Sequence, residues 1–168
     1  VTLQGGAGND SIYNSTSSYY TINSSYGYVT IDAGAGDDTI YNYDPNVSIN
    51  GGSGNDTIYG SYSDVTIDGG EGNDYINFDG SNSSVNGGSG NDKISVTGSY
   101  TTVKGGTGND TIYGSSYSRH VYQYAYGDGN DLIYGYNSYN TINVSNGAWT
   151  KSTVGNDVII SVVGSGAI

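Results

Sequence analysis

An aspartate closes the same glycine-rich hexapeptide again and again through the middle of this chain. The motif reads Gly51-Gly52-Ser53-Gly54-Asn55-Asp56, then Thr57-Ile58-Tyr59. It returns from Gly69 to Asp74, from Gly87 to Asp92 and from Gly105 to Asp110, and a variant runs from Ala33 through Ala35-Gly36-Asp37 to Asp38. One such hexapeptide would be a weak turn signal, but copies starting at 33, 51, 69, 87 and 105 keep one register. The glycines admit backbone conformations that aim several carbonyl oxygens at one point, and the aspartate adds a carboxylate there. The donors are all oxygen, without nitrogen or sulfur. That set suits a hard cation, and calcium fits best.

The rest of each unit must position those turns. Val29-Thr30-Ile31-Asp32, Val47-Ser48-Ile49-Asn50, Val65-Thr66-Ile67-Asp68, Ser83-Ser84-Val85-Asn86 and Thr101-Thr102-Val103-Lys104 occupy equivalent places. Each unit therefore holds two short strands, with the aliphatic residue pointing inward and its neighbours outward. Two strands and two turns make one coil of a right-handed parallel β-solenoid, all-β, with 18-residue coils. Its expected core is thin, two ladders of Ile and Val. Coils stack about 4.8 Å apart, the spacing of paired strands. Neighbouring aspartates would then repel by roughly 1–3 kcal/mol at about 5 Å, so the column calls for cations.

The nonapeptide Gly-Gly-x-Gly-x-Asp-x-aliphatic-x resembles the repeats-in-toxin (RTX) family of haemolysin-type calcium-binding repeats. The resemblance implies a β-roll with each calcium between turns of adjacent coils, held by two aspartates and backbone carbonyls. Carried onto this sequence, the side-chain ligands are Asp38, Asp56, Asp74, Asp92 and Asp110. The carbonyl positions are Ala33, Ala35 and Gly36; Gly51, Ser53 and Gly54; Gly69, Glu71 and Gly72; Gly87, Ser89 and Gly90; and Gly105, Thr107 and Gly108. Four to six ions are expected. The family often repeats its motif on both edges of the roll. Here the alternate sixth position is Val47, Val65, Ser83 or Thr101, so calcium is expected along one edge only, with the other dry or hydrogen-bonded.

The ends depart from the register. Gly5-Gly6-Ala7-Gly8-Asn9-Asp10 starts 28 residues before Ala33, and Tyr20-Thr21-Ile22-Asn23 in the gap reads as a strand. Counting half-coils puts Asp10 on the opposite edge; one enlarged coil keeps it in the column. Both readings stand at this level. Beyond the roll, taken as residues 1–113, residues 114–168 read as a degenerate continuation and C-terminal cap. There Gly127-Asp128-Gly129-Asn130-Asp131 keeps half the motif, and Asp131 is expected to close one more calcium site. Asp157 lacks the paired glycines and is the weaker candidate.

The 168 residues include 29 glycines and 19 tyrosines, no cysteine and no methionine, and carry a net charge of −12. Such acidity repels phosphate backbones, which argues against nucleic-acid binding. No apolar run is long enough to span a bilayer. Low aliphatic content alone would suggest disorder, a reading the periodicity overturns. No catalytic elbow, zinc-binding helix or phosphate loop is present. His120, the single histidine, reads as a solvated loop residue. Tyr41, Tyr59, Tyr113 and Tyr134 follow the inward aliphatic residue and should form an outward column. Outward Asn9, Asn55, Asn73, Asn91 and Asn109 raise ice or glycan binding, although no threonine row accompanies them.

The expected function is a non-enzymatic, calcium-dependent folding module of a secreted bacterial RTX-type protein, with Val1 marking a processed or excised piece. The alternative is an extracellular filament or adhesin segment that self-associates through open coil edges and tyrosine faces, with a cell-surface or glycan ligand as a further partner.

Overall fold

The computed structural model describes residues 1–15, 28–145, 148–154 and 157–163. The expected strand at 20–23, Gly155 and Asn156, and the terminus at Ile168 lie outside them. All regular structure among the described residues is strand. One sheet stacks β1 (Thr2–Ala7), β3 (Val29–Ala35), β5 (Val47–Ser53), β7 (Thr66–Glu71), β9 (Ser84–Ser89), β11 (Thr101–Thr107), β13 (His120–Ala125) and β15 (Thr141–Ser145) in that order. The other stacks β2 (Ser11–Asn14), β4 (Thr39–Asn42), β6 (Thr57–Gly60), β8 (Tyr75–Phe78), β10 (Lys93–Val96), β12 (Thr111–Gly114) and β14 (Asn130–Tyr134). Beyond β14 come β17 (Asp157–Val163) and β16 (Ala148–Val154). Odd and even strands alternate along the chain, so the fold is a parallel β-solenoid. The coil step is 18 residues in the centre. Among the described residues two pairings are antiparallel, β14 with β17 and β17 with β16.

Period-two alternation decides which residues are inside. Ile40, Ile58, Ile76, Ile94, Ile112 and Ile133 form one buried ladder, and Ile31, Ile49, Ile67, Val85 and Val103 another. The core is wider than those two. Val29, Val47 and Val65 make a third column. A fourth holds Phe78 and Val96, with Gly60 making room for the phenylalanine ring. At the N-terminal end that column turns polar: Asn14 Nδ2 donates to Asn42 Oδ1 at 2.6 Å, and both residues are buried.

Two expectations need correction at the C-terminal end. His120 is buried, in register with Thr101 at the start of β13, because its strand stacks directly on β11. The rule that aliphatic residues face inward also fails there. Val121 is half-buried, while Tyr122 and Tyr124 fill the interior.

Candidate metal centre

The turns from β1 to β2, β3 to β4, β5 to β6, β7 to β8, β9 to β10 and β11 to β12 carry the glycine-rich hexapeptide or its Ala33 variant, and the turn from β13 to β14 keeps its second half. Gly54 stands at φ 126° and Gly72 at φ 127°, a region closed to ordinary side chains. That geometry lets successive turns nest, with the Gly54 N–H donating to the Glu71 carbonyl at 2.8 Å. The sixth residue then stacks on itself from coil to coil. Asp38 N–H donates to Asp56 Oδ1, Asp56 N–H to Asp74 Oδ1, Asp74 N–H to Asp92 Oδ1 and Asp92 N–H to Asp110 Oδ1, each at 2.8 Å. Asp110 N–H continues to Asp131 Oδ1.

Asp10 belongs to the same column. Its N–H donates to Asp38 Oδ1 at 2.6 Å across 28 residues, and Ser11 pairs with Thr39. The enlarged-coil reading therefore holds, and the opposite-edge reading fails. Asp157 stands at the other end of its strand from this column, in reach of the Gly135 N–H.

From Asp38 to Asp131, one oxygen of each carboxylate is thus spent on the preceding coil. The other, Oδ2 of Asp38, Asp56, Asp74, Asp92, Asp110 and Asp131, is buried with no hydrogen-bond partner, as is Asp10 Oδ2. These oxygens share their surroundings with carbonyls. A methyl group added at Gly51 would collide with both Asp56 Oδ2 and the Gly69 carbonyl. At Gly69 it would meet Asp74 Oδ2 and the Gly87 carbonyl, and at Gly87 Asp92 Oδ2 and the Gly105 carbonyl. Ala33 supplies a real methyl at the equivalent place. Among the described residues no three acidic or histidine side chains converge as a metal cluster. Each gap brings two carboxylates, and backbone oxygen must supply the rest. The third-position carbonyls of Ser53, Glu71, Ser89 and Thr107 each accept one N–H already, which leaves each a second lone pair.

Burial without counter-charge pushes the carboxyls of Asp56, Asp74, Asp92, Asp110 and Asp131 upward. Asp74 is raised to about 6, Asp92 to about 7 and Asp131 to about 8. Desolvation is the main cause; a backbone N–H pulls each back, and neighbouring aspartates add to the rise. A column of orphaned, desolvated oxygens beside carbonyls fits a hard cation: the carboxylates lack positive charge, and the third-position carbonyls keep a second lone pair.

The opposite edge is built differently. Val47 and Val65 are buried, and Asn46, Asp64, Asn82 and Tyr100 take the left-handed turn conformation without glycine. Ser83 Oγ accepts the Val65 N–H at 3.1 Å and donates to the Ser81 carbonyl, while Thr101 Oγ1 donates to the Gly80 carbonyl. No buried carboxylate column stands among the described residues of this edge. His120 continues it, its backbone N–H donating to Asn140 Oδ1 at 2.9 Å one coil further on; both ring nitrogens are unpartnered, and burial holds its imidazole below the usual range.

Sequence reasoning missed the job of the fifth position. Asn55 Oδ1 accepts the Asn73 N–H at 2.8 Å, Asn73 Oδ1 the Asn91 N–H at 2.7 Å and Asn91 Oδ1 the Asn109 N–H at 2.8 Å. The exposed asparagine row is a ladder of inter-coil hydrogen bonds. Its signal was the invariant fifth place in four successive motifs.

A parallel β-solenoid with a glycine-turned acid column along one edge defines a β-roll. The pattern of the RTX calcium-binding nonapeptide repeat, four copies, matches residues 2–13, 21–42, 50–85, 79–98, 101–116 and 127–148, well over half of the chain. The chain belongs to that family, whose repeats bind calcium. No curated protein and no solved structure matches it.

Proposed function

We propose that this chain is a calcium-dependent folding module of a secreted bacterial RTX-type protein, without catalysis of its own. The observation that carries the reading is the row of buried, unpartnered Oδ2 atoms from Asp10 to Asp131. Without cations these carboxylates resist being stacked and desolvated, so the chain stays open. Calcium supplies the missing charge, held by paired aspartates and the carbonyls of the glycine turns. Binding and folding are then one equilibrium, because the site exists only once coils stack. Extracellular modules with affinities of about 10⁻⁴ to 10⁻³ M fill outside the cell and stay empty in the cytosol. Residues 114–168 serve as the continuation and cap, with β17 lying against β14, the last parallel strand of its sheet, and β16 against β17.

Circular dichroism tests this. Millimolar calcium is expected to induce β structure, and equal magnesium to do so poorly, because magnesium demands tight octahedral geometry and sheds water reluctantly. Full folding in chelator, or equal folding with magnesium, overturns the reading.

A filament or adhesin segment is the second reading, favoured by the outermost strands β1 and β15 of one sheet and β2 and β16 of the other. Such edges offer unpaired backbone groups to another copy. Sedimentation with calcium separates the two: a module stays monomeric, and a filament subunit grows.

A further inference from the structure

The outer face of the even-strand sheet carries tyrosines in two groups. Tyr13 and Tyr41 stack with ring centroids 4.6 Å apart and planes 15° from parallel. Tyr41 and Tyr59 follow at 5.1 Å and 10°. At the other end Tyr113 and Tyr134 stack at 4.9 Å and 12°. Each pair is in register on adjacent parallel strands, so the backbone itself holds the rings together. Between the groups the register position passes to Asn77 and Ser95. Tyr75 meets Tyr59 edge-on at 6.0 Å, and Lys93 stands over the rings of Tyr75 and Tyr113 at 5.5 and 5.7 Å. Among the described residues the stacked pairs on this face therefore lie towards the two ends of the roll.

Solenoid coils contact only their neighbours, and local opening is cheapest at the termini. A covalent bond between end coils acts where opening begins. The chemistry for one is present. The chain has no cysteine and no methionine to intercept an oxidant, and Tyr13 and Tyr113 are 58% and 38% exposed.

We propose that the stacked pairs Tyr13–Tyr41, Tyr41–Tyr59 and Tyr113–Tyr134 are sites of oxidative tyrosine–tyrosine coupling, which staples adjacent coils at both ends of the roll. The oxidant is hydrogen peroxide acting through a haem peroxidase. Each phenol gives up one electron and its hydroxyl proton, leaving two neighbouring tyrosyl radicals. Their ortho carbons form one carbon–carbon bond, and each ring passes its displaced ortho hydrogen to its own oxygen to restore the phenol. Two electrons and two protons leave the protein, and one peroxide becomes two waters. The stacked centroids already lie close to the separation of directly bonded rings, and coupling needs mainly rotation about the soft ring torsion. In the unfolded chain the partners are 18 or more residues apart in sequence and meet only by loop closure, so coupling is selective for the folded roll.

The test treats the full chain with peroxide and a haem peroxidase. Dilute protein is used in calcium, after circular dichroism has confirmed the fold. Mass spectrometry of the monomer fraction is expected to find peptides joined through Tyr13–Tyr41 or Tyr41–Tyr59, and through Tyr113–Tyr134, each short of two hydrogens. Tyr134→Phe should remove the C-terminal joined peptide and spare the N-terminal one. The oxidised monomer should also keep its β signal in chelator several-fold longer than the untreated protein. Absence of joined peptides from a folded monomer overturns the proposal. So does coupling through the highly exposed Tyr28 and Tyr117 as often as through the stacked pairs. Because the fold is verified first, calcium-independent folding would defeat the folding-module reading and leave this test intact.

Discussion

Asp74 Oδ1 accepts the backbone N–H of Asp56 at 2.8 Å, while Oδ2 of the same carboxylate is buried with no partner. One side chain thus carries two separable functions. The first oxygen spaces the coils, and the second is available to a cation. A carboxamide keeps the first and replaces the second with a donor.

Asp74→Asn should therefore stack normally and bind calcium poorly. The expected result is a calcium midpoint for folding raised about tenfold, equivalent to ~1.4 kcal/mol. Asp79 is exposed on the turn at the opposite edge, and Asp79→Asn should leave the midpoint nearly unchanged. Titrations at one ionic strength hold screening constant. Equal shifts in the two variants would mean that the column acts through bulk charge, not coordination.

Anomalous scattering from calcium-loaded crystals should place ions along the aspartate edge only. The gaps between Asp38, Asp56, Asp74, Asp92 and Asp110 are the expected positions, with Asp10 and Asp131 extending the column. Val47 and Val65 fill their edge with apolar atoms, and Ser83 and Thr101 have spent their hydroxyls. Ions on that edge in the central coils would contradict this account.

Acid should act oppositely with and without calcium. Asp74, Asp92 and Asp131 are raised by burial to about 6, 7 and 8, against about 3.9 in an unfolded chain. The folded state therefore holds protons that the unfolded state releases. That stabilising contribution is complete below pH ~4 and is lost as pH rises through the raised values, towards pH ~8. In chelator, circular dichroism should show more β structure at pH 5 than at pH 8. Calcium competes with the same protons, so its midpoint should rise on acidification from pH 8 to 6. A chelated protein that folds better at pH 8 would reverse the sign and refute the desolvation argument.

The coil, its register and the aspartate edge were legible because they repeat: one Gly-Gly-x-Gly-x-Asp tells little, but five in step leave a single way to stack. Where repetition stops, local patterning misleads. His120 follows Arg119 in a polar stretch, yet it is buried because its strand pairs with β11 and inherits the place of Thr101. Tyr122 and Tyr124 turn inward for the same reason, since register with Val103 outranks the preference of Val121 for the interior. Asp10 could not be placed by counting strands; its partner, Asp38, lies across a 28-residue coil.

Ala33 provides the sharpest test of where the cation sits. It occupies the register position of Gly5 and Gly51, is fully buried, and carries a methyl where Gly51 has none. At Gly51 such a methyl would collide with Asp56 Oδ2 and the Gly69 carbonyl. Gly51 lies outside the left-handed region, so alanine there is opposed by the crowded oxygens and not by backbone strain. If those oxygens face the ion, Gly51→Ala should raise the calcium midpoint several-fold. Ala33→Gly should do the reverse, opening the Asp38 site and lowering the midpoint. In chelator the sign should change, because an added glycine loses backbone entropy on folding and costs roughly 0.5–1 kcal/mol within a strand. The two variants are compared by calcium titration and by thermal unfolding in chelator at low pH. A higher calcium midpoint for Ala33→Gly would show that the cation does not share the space the methyl fills, and the ligand set would have to be rebuilt from the third- and fourth-position carbonyls.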